Sequence, residues 1–142
     1  MYDRSINIFV DTDMSLESLA QVVEKVVGIT LTLKTLKPNN PAFPSYEAFI
    51  FFDQEQDWGI MITNNGLIGA NDITDNYTRI TNFPYRIECF SLKRPLPENN
   101  ATEKVIQVSR SIFEGLKMNH QCSLGMLYEI DIVRDEYYPQ ND

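Results

Sequence analysis

Apolar residues recur in this chain with two different periods, and the order of those periods is what most limits the fold. Leu16, Leu19, Ala20, Val23, Val26 and Val27 are spaced as one stripe of a helix. Val105, Val108, Ile112 and Leu116, with Ile106 and Phe113 alongside, form a second stripe. Apolar residues elsewhere alternate with polar ones or run in short blocks, which is the pattern of strands. Ile6, Ile8 and Val10 open the chain this way. Ile29, Leu31 and Leu33 follow the first stripe as a half-buried strand. Tyr46 to Asp53 is apolar on both faces and reads as a central strand covered on both sides. Trp58 to Thr63 runs back from it across the turn Gln54-Glu55-Gln56-Asp57. Phe83, Tyr85, Ile87 and Cys89 predict a strand whose other face, with Arg86 and Glu88, is wet. Leu124 to Ile132 alternates as a single closing strand.

The expected order is therefore β-α-β-β-β-β-α-β. Strands that follow one another without a helix between them pair as hairpins, so the predicted fold is α+β. It is a mostly antiparallel sheet of about six strands with two helices on one face. Thr12, Asp13 and Ser15 offer cap oxygens for the first helix, and Gly28 ends it. Asn100 or Thr102 caps the second, with Glu103 in its first turn. The 142 residues fit one domain, residues 1–142, large enough for a real core. The last residues, from Pro139 to Asp142, are expected to fray.

Charge narrows the partners. Twenty acids against 12 bases give a net charge of −8. No basic stripe is available for a phosphate backbone or an anionic lipid surface, so neither nucleic acid nor membrane is expected as a partner. No apolar run nears the ~20 residues that span a bilayer, and no signal segment follows Met1, so a cytoplasmic location is expected. Between Lys37 and Arg79 there is no basic residue, while Glu47, Asp53, Glu55, Asp57, Asp72 and Asp75 all fall there. Phe43, Tyr46, Phe49, Phe51, Phe52, Trp58 and Tyr77 share that stretch. Acids of this kind steer a cationic partner, and exposed Trp and Tyr anchor it. The expected contact residues are Asp53, Glu55, Asp57, Trp58, Asp72, Asp75 and Tyr77.

Chemistry finds less support. Cys89 and Cys122 are two thiols far apart in the chain, not a disulfide framework. His120 is the single histidine and stands two residues before Cys122, too close along a turn for the side chains to face each other as base and nucleophile. One histidine and two distant cysteines cannot make a zinc site. Asp53 to Asn64 resembles a calcium loop only at its start, with Trp58 where glycine is needed and Asn64 where a bidentate Glu is needed. Asp11 with Asp13, and Glu129 with Asp131, are the candidate pairs for acid–base work; Asp13 is more simply a helix cap, and Glu129 and Asp131 share one face of a strand, the wet one. No phosphate loop or nucleophile elbow occurs. No catalytic residue, metal or cofactor is predicted. The alternative is a small enzyme or ligand-binding domain with a pocket between sheet and helices, using Tyr85, Arg86, Cys89 and His120.

The strings Ile6-Asn-Ile-Phe-Val10, Asp13-Met-Ser-Leu-Glu-Ser-Leu-Ala20 and Tyr77-Thr-Arg-Ile-Thr-Asn-Phe-Pro-Tyr-Arg-Ile87 resemble small bacterial immunity proteins of toxin–immunity systems, including contact-dependent inhibition. The resemblance implies a non-enzymatic inhibitor whose partner is a cognate toxin domain. It fixes no contact residue. A further reading, a structural or oligomerisation module, would be favoured by an exposed apolar sheet face and a stable homodimer.

Overall fold

The computed structural model describes residues 5–37, 41–42, 44–64, 83–92, 101–119, 122–128 and 132–137. Strand β1 (Ser5–Asp11) leads to helix α1 (Leu16–Val27). Strands β2 (Thr32–Leu36), β3 (Tyr46–Asp53), β4 (Trp58–Asn64) and β5 (Tyr85–Phe90) follow. Helix α2 (Ala101–Asn119) precedes β6 (Ser123–Tyr128) and β7 (Ile132–Tyr137). The strands form one sheet in the order β2-β3-β4-β5-β1-β6-β7, with every neighbouring pair antiparallel. The α+β class, the antiparallel sheet and the two helices are as the sequence predicts. The seventh strand is a refinement: what reads as one strand from Leu124 to Ile132 is two, paired to each other with a register shift between Met126 and Leu127.

Local chemistry explains the ends of α1. Ser15 is its N-cap, and its hydroxyl accepts the Ser18 amide at 3.1 Å. Gly28 closes it at φ 78°, a left-handed conformation open to a residue without Cβ. The Glu24 carboxylate then accepts the Leu31 amide at 2.7 Å, which carries the chain toward β2. The valines of α1 are weak helix formers, so burial of Leu19, Ala20 and Val23 must hold the helix.

Helix α2 packs over β1, β5, β4 and β6, and α1 packs beside it over β4. Strand register places Ile62, Ile87, Ile8 and Met126 in one row on that face, with Ile60, Cys89 and Ile6 in the next. Phe113, Ile112, Leu116, Val105 and Val108 of α2 complete the core. Each such side chain contributes about 1.5–3 kcal/mol by leaving water. The helices touch where Gly115 meets Val26; a Cβ on Gly115 would come within 2.8 Å of a Val26 methyl. Strands β2 and β3 lie beyond this cover. Leu33 is accordingly 49% exposed, and β3 is paired on both sides yet only half-buried. The expectations of a half-buried β2 and a fully covered β3 are corrected on that ground.

The opposite face of the sheet is not simply wet. Asn7, Phe9, Ala48 and Thr63 are buried there, and Arg86 and Glu88 keep only 17% and 24% of their side chains exposed.

Candidate functional site

The β3–β4 turn is organised by its acids. Asp53 Oδ1 accepts the amides of Glu55 and Gln56 at 3.0 and 3.1 Å, a local closure that Asp supplies readily. Glu55 projects into solvent. Neither Asp53 nor Glu55 forms an ion pair among the described residues.

Asp57 differs from both. It ends the turn at φ 55°, a conformation that Asp tolerates better than most residues. It is buried, with Oδ2 accepting the Ser91 hydroxyl at 2.6 Å and Oδ1 accepting the Leu92 amide at 3.0 Å. A buried carboxylate is tolerable only when its oxygens are filled this way. Trp58 is also inside. Its ring lies 4.9 Å from Phe51, and Lys104 Nζ stands 5.1 Å from the ring centroid. The exposure expected of Asp57 and Trp58 is therefore corrected: both face the interior, so neither presents its side chain to a partner. Asp72, Asp75 and Tyr77 lie outside the described residues, as do His120, Glu129 and Asp131.

The feature that sequence reasoning missed lies on the helix-free face at this same end. Phe52, Gly59 and Phe90 stand side by side in register. The two rings lean together over the glycine, stacked with centroids 6.0 Å apart and planes 1° apart. A Cβ on Gly59 would sit 2.6 Å from the Phe51 carbonyl oxygen and 2.6 Å from the Phe90 ring, so only glycine admits this approach. Beside Phe90 opens a cleft of about 330 Å³ lined by Ser5, Met61, Glu88, Phe90, Ser91 and Leu92. Asp57 fixes its rim through Ser91 and Leu92. Phe52 and Leu92 are 37% and 62% exposed, so an apolar patch adjoins the acidic turn. The sequence signal was available: Glu88 and Phe90 alternate with Ile87 and Cys89, which puts them together on the far face of β5.

One row deeper, Met61, Glu88 and Asn7 face one another across β4, β5 and β1. Beyond them lie Thr63, Arg86 and Phe9. Arg86 reaches Glu88 only at 3.9 Å, outside hydrogen-bond range. Asn7 Oδ1, Thr63 Oγ1 and Arg86 Nε find no hydrogen-bond partner among the described residues. Burial lowers the Arg86 guanidinium from its ordinary value, while Glu88 and Tyr46 act in the opposite direction.

The space between sheet and helices, where a pocket would serve an enzyme, is occupied by the core side chains of Leu19, Val23, Ile60, Ile87, Ile112 and Phe113. Burial pushes both the Cys89 and Cys122 thiols up, with Thr12 partly opposing this at Cys122. That is the wrong direction for a thiolate nucleophile. Among the described residues no three His, Cys, Asp or Glu side chains gather as a metal site, and no helix is long and apolar enough to cross a membrane.

No protein-family model matches the chain, and comparison with curated proteins and with solved structures gives no match.

Proposed function

We propose that this chain is an immunity protein or antitoxin, a non-enzymatic domain that binds and neutralises a cognate, basic bacterial toxin domain in the cytoplasm. One observation carries the reading. At the hairpin end of the sheet, Asp53 and Glu55 form no ion pair among the described residues and stand beside the exposed apolar side chains Phe52 and Leu92. Uncompensated acids accelerate encounter with a basic partner, and apolar anchors slow its departure. The net charge of −8 acts in the same direction. The docking surface proposed from the geometry keeps Asp53 and Glu55, and exchanges Trp58 for Phe52, Phe90 and Leu92.

The test is co-expression with the product of the adjacent reading frame, which this reading expects to end in a compact basic domain. Growth arrest by that domain, relieved by this chain and by salt-sensitive complex formation, supports the reading. A toxic neighbour that this chain neither binds nor relieves overturns it. Within a complex, Phe52→Ala should weaken binding by about 2 kcal/mol if the ring is an anchor. Asp53→Asn with Glu55→Gln should slow association and flatten its salt dependence while leaving dissociation nearly unchanged.

A further inference from the structure

We infer that the cleft beside Glu88 is a receptor for one basic side chain, arginine or lysine, presented by the partner protein. The inference rests on the proposed function for the source of that side chain, and on the cleft alone for its chemistry. Glu88 is the one ionisable group among the residues lining the cleft; the others are Ser5, Met61, Phe90, Ser91 and Leu92. A carboxylate among a thioether, a phenyl ring and a leucine is an expensive arrangement unless something fills its oxygens. Arg86 does not fill them. It sits one pleat away on the side opposite Phe90, and its closest approach is 3.9 Å.

Directly across from Glu88 on β1 is Asn7, 3% exposed, whose Oδ1 has no hydrogen-bond partner among the described residues. Among the described residues, the Glu88 carboxylate and the Asn7 Oδ1 across from it therefore keep acceptor capacity, near the Ser5 hydroxyl, while the Ser91 hydroxyl is already donated to Asp57. What the cleft lining lacks is cationic donors. An ammonium brings three and a guanidinium five, each with positive charge. The aliphatic stem of either side chain matches Met61 and Leu92, and its head can lie against the Phe90 ring. A volume of about 330 Å³ is at the small end for ligand sites and suits a single long side chain. An anionic ligand would instead meet Glu88 at close range inside a chain of net charge −8.

The probe is Nα-acetyl-arginine amide, titrated into the full chain labelled with ¹⁵N, with Nα-acetyl-citrulline amide as its uncharged match. The expected result is shifts confined to the amides of Ser5, Met61, Glu88, Phe90, Ser91 and Leu92, with arginine bound about tenfold more tightly than citrulline. Glu88→Gln should reduce arginine binding to the citrulline level. Equal affinities, shifts elsewhere, or no shift up to roughly tens of millimolar, the limit of weak single-contact binding, overturn the inference. Should Glu88→Gln fail to fold, the arginine and citrulline titrations of the unaltered chain decide alone. The two proposals separate cleanly. A toxin neutralised by a chain that ignores arginine removes this inference and keeps the function. Arginine bound by a chain that neutralises no toxin does the reverse.

Discussion

The two faces of the sheet are built from the same strands, yet they follow different rules. On the helix face the interior rows are mostly aliphatic, so most side chains need only fit; the exception is Trp58, whose buried Nε1 has no hydrogen-bond partner among the described residues. Ile6, Ile8, Ile60, Ile62 and Ile87 meet α1 and α2 with no polar atom to satisfy. On the other face, one pleat over, Asn7, Thr63 and Arg86 each keep a buried polar atom with no hydrogen-bond partner among the described residues, and Glu88 stands half-covered beside them. Stability favours the first arrangement and offers no reason for the second, because an unsatisfied buried polar atom costs about 1–3 kcal/mol. Where a chain carries such a cost beside an open cleft, the polar groups are better explained by binding than by folding.

The comparison can be broken most forcefully at Trp58. As a core residue it should cost about 3–5 kcal/mol when truncated to Ala, read as a lowered urea midpoint. A variant of unchanged stability would put the ring outside and restore it as a contact. Gly59→Ala should come next, about 1–3 kcal/mol, because backbone as well as the Phe90 ring blocks the added methyl. It should also part the Phe52–Phe90 stack, visible in ring-proton shifts. Asp57→Asn keeps the turn residue but weakens two charge-assisted hydrogen bonds, for a loss of about 1.5 kcal/mol.

The smaller effects sharpen the contrast. Cys89 lies on the dry face, where burial raises its thiol above the ordinary 9.0. The folded state then keeps its proton where the unfolded state loses it, so stability falls as pH rises above about 9, by roughly 1 kcal/mol over the first unit. Cys89→Ala should remove that component of the alkaline slope. A slope unchanged in the variant would show that the thiol is not sealed in the core. On the polar face, Thr63→Val replaces an orphaned hydroxyl with a methyl of the same shape. It should stabilise by about 0.5–1 kcal/mol, whereas a loss would reveal a partner for Thr63 Oγ1.

Much of the fold was legible in the sequence. The stripes of α1 and α2 and the alternation of β1 and β5 are local signals, and local periodicity follows burial where a helix layer covers one side. The misses are non-local. Leu33 alternates as a buried residue would, but its strand is at the edge of the sheet and leaves it 49% exposed. Asp57 reads as a solvated turn acid, whereas Ser91 and Leu92, 34 and 35 positions later, fill its oxygens in the interior. The cleft depends on Ser5, Met61 and Glu88 arriving from three strands whose neighbourhood the order along the chain does not reveal. The acidic turn was readable because it is contiguous; its apolar neighbour was not, because register assembles it.

The Asp57 clasp gives the molecule a built-in reporter. Leu92 is 62% exposed, so its amide would ordinarily trade hydrogen with solvent within the open-loop regime. Tied to Asp57 at 3.0 Å, that proton should instead exchange slowly, at the pace of the hairpin's own local openings. A single deuterium-uptake curve at one surface position would therefore record how often the cleft loses its rim.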